Sequence, residues 1–302
     1  MHPVLAIGLA LASAVCYAVS AALQHHEASR QFEYGLGLMR VLLRRPRWCT
    51  AQAASVAGAL FHLGALGAGP LVLVQPIGVT ALVFALPIGA WLGQVRVGRR
   101  SWIGALCVAV GLPAVLAMVP HHGRLGRGVL AYPTVVVAIG VLVAAAALAA
   151  VPIERTRPRA AGVLYALGAA LCFGLASGVV KAAWLRLATP GLLCAGVVAM
   201  GTGVVLAQHA YRANGLGASL AVLTLADPLT AAGIGVLVLG EPILTSPLHL
   251  ALGLSGIAVT TFGVALLSAH TDISRAATRD RGAARTAGAG PNIVVAAPSP
   301  PE

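Results

Sequence analysis

Two stretches decide the fold: VLAYPTVVVAIGVLVAAAALAAV at residues 129–151 and LHLALGLSGIAVTTFGVALLSA at residues 248–269. Neither contains Asp, Glu, Lys or Arg. Each exceeds the roughly 20 residues that carry an α-helix through a bilayer's hydrocarbon core. Neither alternates apolar and polar residues with the period of two that a barrel strand needs. The rest of the chain agrees, with 59% hydrophobic and 9% charged residues among 302 and a mean hydropathy of +0.90. A water-soluble domain has too few charges here to cover its surface. In lipid, every backbone polar group must be satisfied internally, which leaves helices or a closed barrel. The two stretches select helices.

Marking apolar runs of this kind predicts an all-α polytopic membrane protein with nine spans: 3–23, 51–68, 70–93, 102–118, 129–151, 160–183, 191–209, 217–239 and 248–269. The segment Phe32–Leu43 is moderately apolar, and the count rises to ten if it also crosses. The first run begins at Pro3 without a basic flank or a small-residue cleavage site, so it reads as a retained helix and not a signal peptide. The net charge of +12 does not point to nucleic acid, because the basic residues lie in short loops and in the tail and form no basic amphipathic face.

Those basic residues orient the bundle. With the N-terminus outside, sixteen of the twenty Lys and Arg fall on the inner side: Arg30, Arg40, Arg44, Arg45, Arg47, Arg96, Arg99, Arg100, Arg155, Arg157, Arg159, Arg212, Arg275, Arg279, Arg281 and Arg285. Only Arg124, Arg127, Lys181 and Arg186 stay outside. Positive-inside bias therefore predicts N-out and C-in. Trp48, Trp91, Trp102 and Trp184 fall near span ends, where indoles settle at the headgroup level. The Ala- and Arg-rich composition matches a high-GC bacterium, which places the protein in an inner membrane with a cytoplasmic C-terminal tail.

The two ends of the membrane region echo each other. Cys16-Tyr17-Ala18-Val19-Ser20-Ala21 resembles Cys172-Phe173-Gly174-Leu175-Ala176-Ser177-Gly178, and aligning Ser20 with Ser177 sets Gln24 opposite Lys181. Gln75-Pro76 resembles Asp227-Pro228, and Gly93-Gln94 resembles Gly240-Glu241. Gly104/Gly111 and Gly253/Gly256/Gly263 then mark one face of the span that follows in each half. The resulting organisation is a first membrane repeat over 1–119, a linking helix with its loops over 120–159, a second repeat over 160–269, and a disordered basic tail over 270–302. The odd linking helix inverts the second repeat relative to the first, an architecture that gives secondary transporters their two access states.

Val74-Gln75-Pro76-Ile77-Gly78, Ala176-Ser177-Gly178-Val179-Val180-Lys181 and the series Gln208…Asp227-Pro228…Glu241 resemble the NIPA-type branch of the drug/metabolite transporter superfamily, over about residues 3–269. The resemblance implies a bundle of about nine helices that carries magnesium, within a superfamily that also exports organic metabolites and drugs. The chain departs from that branch in the second helix, where an acidic residue and an asparagine are replaced by Ala59 and His62.

An ionisable group inside the membrane costs roughly 2.5 kcal/mol or more, so each marks a candidate site. Asp227 stands mid-span before Pro228, which removes an amide donor and frees a carbonyl one turn back, at Thr224. A carboxylate beside a free carbonyl suits a cation or a proton and makes Asp227 the candidate metal ligand. Gln75 before Pro76 is its uncharged counterpart, and the two prolines are the candidate hinges. His62, Gln208 and His209 are placed to face the same cavity, while Gln24, Lys181 and Glu241 lie near span ends as candidate gates. Adjacent His25 and His26 point about 100° apart on a helix, which does not suit gripping one ion. No nucleotide-binding, nucleophile-elbow or HExxH pattern occurs, so the sequence calls for no cofactor and no enzymatic activity. The expected function is a secondary transporter or facilitator for a divalent cation such as magnesium, or an exporter of a small organic metabolite. The other class is a non-transporting scaffold or lipid-handling subunit. The expected partners are the solute and the bilayer, and homodimerisation stays open.

The charge distribution sets a direct test of orientation. A green fluorescent protein fused after Glu302 is expected to fluoresce in a bacterial host, and alkaline phosphatase fused at the same point to remain inactive; the reverse pattern would invert the assigned topology.

Overall fold

The computed structural model describes residues 3–31, 36–68, 74, 77–93, 97–116, 132–184, 189–237 and 246–288. Among these the chain is helical and no strand occurs. The helices are α1 (Pro3–Ala28), α2 (Leu36–Leu42), α3 (Pro46–Ala68), α4 (Ala81–Gly93), α5 (Arg99–Leu116), α6 (Tyr132–Ile153), α7 (Pro158–Trp184), α8 (Pro190–Asn214), α9 (Leu216–Leu237) and α10 (Pro247–Gly288). Proline opens α1, α3, α7, α8 and α10. At the first helical position the missing amide would have no partner in any case, and the fixed φ favours the helix. The α8–α9 joint is a single residue. Gly215 takes φ 81° and its N–H bonds the Tyr211 carbonyl, a left-handed cap that glycine adopts without strain.

Among the described residues, five helical segments are long and apolar enough to cross a membrane: Val4–Ala28, Thr134–Ile153, Pro158–Val180, Pro190–Asn214 and Pro247–Leu267. The protein is therefore a helical bundle with the dimensions and surface of an integral membrane protein. Large apolar side chains such as Leu5, Val56, Leu60, Val110, Val141, Leu148, Val197 and Leu254 point outward, as they do when lipid is the solvent. The moderately apolar segment after Gln31 contains the seven-residue α2, about 10 Å long, against a core of about 30 Å.

Two differences from the sequence reading have clear causes. α1 continues past residue 23 to Ala28 because Gln24, His26 and Glu27 are buried by neighbouring helices and do not end the helix in water. The backbone of α10 likewise continues as helix past residue 269 to Gly288, into the segment read as tail, while its apolar part ends at Leu267.

The helices pack in a repeated pattern. α1 lies against α3 and α4, and α7 lies against α8 and α9 in the same order. In the first group the Tyr17 ring fills the space over Gly58, 3.2 Å from where a Cβ would stand. In the second the Phe173 ring fills the space over Gly203, at 2.6 Å. The linking helix α6 packs mainly on α7 and leaves most of its surface facing outward.

α5 and α10 join the two groups. A Cβ on Gly104 would sit 2.8 Å from the Gly263 carbonyl, and one on Gly263 would sit 2.6 Å from the Gly104 carbonyl. Gly111 and Gly256 are related in the same way, at 2.8 and 2.7 Å. Rising residue numbers on one helix meet falling numbers on the other, so the helices are antiparallel. Gly256 follows Gly104 by 152 residues and Gly263 follows Gly111 by the same 152, so exchanging the helices maps the contact onto itself. Buried Thr260 donates its hydroxyl to the Gly256 carbonyl at 2.7 Å within this seam.

This seam has no space for side chains. Gly111→Val is expected to cost about 1–3 kcal/mol or more through overpacking, read as a lower unfolding midpoint in detergent, whereas Gly140→Val, where a Cβ would meet nothing within 4 Å, should leave the midpoint unchanged.

Candidate functional site

The sequence-predicted residues separate into two regions. Asp227 lies on α9, which the chain holds as unbroken helix through Pro228, and its side chain is partly accessible. α9 reaches this position because residue 174 of α7 is glycine. A Cβ there would lie 2.9 Å from the Asp227 carbonyl and 2.5 Å from Thr230 Cβ. Tyr17 of α1 stands within electrostatic range of the Asp227 carboxylate, so the first helix of one group faces the third helix of the other. Tyr17 packs on Gly58, and one turn further along α3 half-buried His62 approaches Gly78, with Cε1 4.0 Å from where a Cβ would stand. Tyr17 thus stands between Asp227 on α9 and the α3 turn that leads to His62.

Thr224 lies one turn before Pro228, and its hydroxyl donates to the Leu220 carbonyl at 2.7 Å. That bond consumes the hydroxyl proton and leaves the oxygen only as an acceptor. The Thr224 carbonyl has no proline amide to receive, as the sequence predicts. Gln75, Pro76 and Glu241 lie outside the described residues, as do the side chains of Lys181 and Pro228.

The second region is at the end of the bundle where α1 and α8 finish and α3 and α7 begin. Ser20 donates to the Ala51 carbonyl at 2.7 Å and lies 2.8 Å from Ser55 Oγ. Gln24 Nε2 donates to Ser20 Oγ at 2.8 Å, and Gln208 Nε2 donates to Gln24 Oε1 at 2.6 Å. Trp48 Nε1 completes the chain by donating to Gln208 Oε1 at 3.1 Å. Gln208 is fully buried, and Ser20, Gln24 and Trp48 are nearly so. Gln208 therefore belongs to an interhelical polar chain and not with Asp227. Trp48 likewise serves as a buried donor here, whereas Trp91 and Trp102 are exposed as interfacial indoles are.

A third set of contacts ties the linker to this end. The Arg212 guanidinium pairs with Glu154, which also accepts from the Tyr165 hydroxyl at 3.1 Å. The Tyr165 ring lies 5.1 Å from that of His209. His209, read in the sequence as facing the cavity, is buried at this α7–α8 contact instead. His25 bonds the Tyr211 carbonyl through Nδ1 at 3.0 Å. Among the described residues no group of three or more His, Cys, Asp or Glu could hold a metal ion.

Sequence reading treated Tyr17 only as part of an echo, and it passed over Ser20, Glu154 and Tyr165 as partners. The signal was present in α1. Ser13, Tyr17, Ser20 and Gln24 recur at helical spacing on one stripe, and Ser13 donates to the Gly58 carbonyl at 2.8 Å on the same face.

Comparison with known proteins adds one relative. An uncharacterized protein of Corynebacterium glutamicum is 28% identical over 253 residues, which is 78% of this chain and 85% of its own length. No family model matches the chain, and no solved structure matches it.

The ion pair carries a stability prediction. Glu154→Ala removes the carboxylate that pairs with the sheltered Arg212 guanidinium and is expected to cost about 3 kcal/mol, seen as a lower unfolding midpoint in detergent. Glu154→Leu combined with Arg212→Met removes both charges and should recover most of that loss.

Proposed function

We propose that this protein is a secondary transporter or facilitator that moves a small solute across a bacterial inner membrane by alternating access around Asp227. The observation that carries the reading is a carboxylate, mid-helix and partly accessible, within electrostatic range of Tyr17 across the junction of two helix groups packed alike. A carboxylate in a membrane interior is costly and is retained where it meets a solute, an ion or a proton. The self-mapping α5–α10 seam and the Tyr17–Gly58 and Phe173–Gly203 pairs support an inverted repeat of the drug/metabolite transporter type, N-out and C-in. Two such units give two arrangements of equal kind, one opening to each side.

The surroundings of Asp227 bear on the substrate. Magnesium demands near-octahedral oxygen ligands and is bound through one or two carboxylates with several retained waters. Among the described residues no group of three or more His, Cys, Asp or Glu could hold a metal ion, which favours a singly charged or polar organic metabolite. Resemblance to the NIPA-type branch keeps magnesium as the competing substrate, and Ala59 and His62 at that branch's acidic and amide positions weigh against it.

Uptake into proteoliposomes decides between these. Magnesium and a panel of radiolabelled amines, amino acids and nucleosides are offered to wild type and to Asp227→Asn. The expected result is flux of an organic solute that falls at least about tenfold in Asp227→Asn, as loss of a functional intramembrane charge requires. Flux unchanged in Asp227→Asn would remove this residue from the mechanism, and flux of nothing would favour a scaffold or lipid-handling role.

A further inference from the structure

The hydrogen bonds Gln24–Gln208, Trp48–Gln208 and His25–Tyr211 all cross from the first helix group to the second. All of them land on the last turns of α8, between Gln208 and Tyr211. The chain also continues the stripe of α1 that carries Tyr17, since Ser20 and Gln24 follow it at helical spacing. It therefore lies between the Asp227 region and the end of the bundle where α1 and α8 finish. We propose that the Ser20–Gln24–Gln208–Trp48 chain is a polar latch that shuts the cytoplasmic end of the solute path and parts when that end opens. The proposal rests on the transporter reading above.

Beside the apolar packing of α9 on α4 and α5, the chemistry of these two intergroup seams supports different roles for them. Between α5 and α10, backbone meets backbone through glycine, and separation would forfeit close packing that lipid does not replace. At the latch, four buried side chains bond one another in series. Amide and indole groups exchange such bonds for bonds to water at little net cost, because a protein hydrogen bond is worth only the difference between the two. A polar seam that opens to water can therefore separate and close again, while an apolar one exposes surface to water each time. The glycine seam suits a fixed axis and the glutamine seam a moving contact. With sixteen basic residues assigned to the inside, the latch end is the cytoplasmic one.

The test uses full-length protein with its five native cysteines replaced by serine and one reporter, Tyr17→Cys, in oriented membrane vesicles. A charged, membrane-impermeant thiol reagent is added from either side. Gln208→Ala is expected to raise the labelling rate at position 17 by about tenfold from the cytoplasmic side alone, as loss of the intergroup bonds frees that end. In a second variant without the reporter, Gln24→Cys with Gln208→Cys is joined by a short bis-methanethiosulfonate spacer, chosen because the contact is made by side-chain ends; the cross-link is expected to abolish solute flux, which returns on reduction. Labelling unaltered by both Gln208→Ala and Gln24→Ala, or flux that persists through the cross-link, overturns the latch. Labelling that responds as expected in a protein that moves no solute would uphold the latch as a closure and defeat the transport reading alone. Flux with unresponsive labelling would do the opposite.

Discussion

The backbone contact between α5 and α10 is the constraint on which the arrangement of the bundle depends. In lipid, burial of apolar side chains supplies little drive for one helix to seek another, because hydrocarbon surrounds them in either case. Helices associate where backbones approach closely enough for dispersion contacts and where polar groups find partners. Gly104, Gly111, Gly256 and Gly263 allow that approach, with each glycine opposite a carbonyl of the facing helix. Because exchanging the two helices reproduces the contact, each helix presents the same kind of glycine face to the other. The positions of α1 against α3 and α4, and of α7 against α8 and α9, follow from each group's own packing.

Smaller glycine contacts extend the same logic to the site. Gly58 and Gly203 accept the rings of Tyr17 and Phe173, and Gly174 lets α9 approach α7 at the level of Asp227. Space made by a missing side chain is thus used in two ways. Beside an aromatic ring it orients that ring, and beside a backbone it draws two helices together. Asp227 gains its place against α7 through the second use, and Tyr17 is held within electrostatic range of Asp227 through the first. Polar contacts then complete the end where α1 and α8 finish. There the Gln24–Gln208 bond joins the groups, and the Glu154–Arg212 pair holds the linker to the second of them.

Much of this fold was legible in the sequence. Uninterrupted apolar runs identified the long helices such as Thr134–Ile153 and Pro247–Leu267, because length and hydropathy are properties of a segment by itself. Asp227 was legible as a candidate for the same reason: a charge in such a run is conspicuous without any partner in view. Gln208 and His209 were not assignable in this way. Each is compatible with a cavity, a lipid-facing groove or a helix contact, and the sequence holds no record of which residue 160 or 180 positions away stands opposite.

The amino-acid sequence alone determined that the chain forms long apolar helices of the membrane type, and that Asp227 interrupts one of them. Those outcomes depend on transfer from water to lipid, which each segment undergoes on its own terms. Only the tertiary structure decided that Gln208 bonds Gln24 and Trp48 and not the Asp227 region, that Trp48 is buried, and that Tyr17 faces Asp227. Those outcomes depend on how closely two helices approach and at what register. That is set by pairs of small residues far apart in the chain, as Gly104 with Gly263 and Gly111 with Gly256 illustrate.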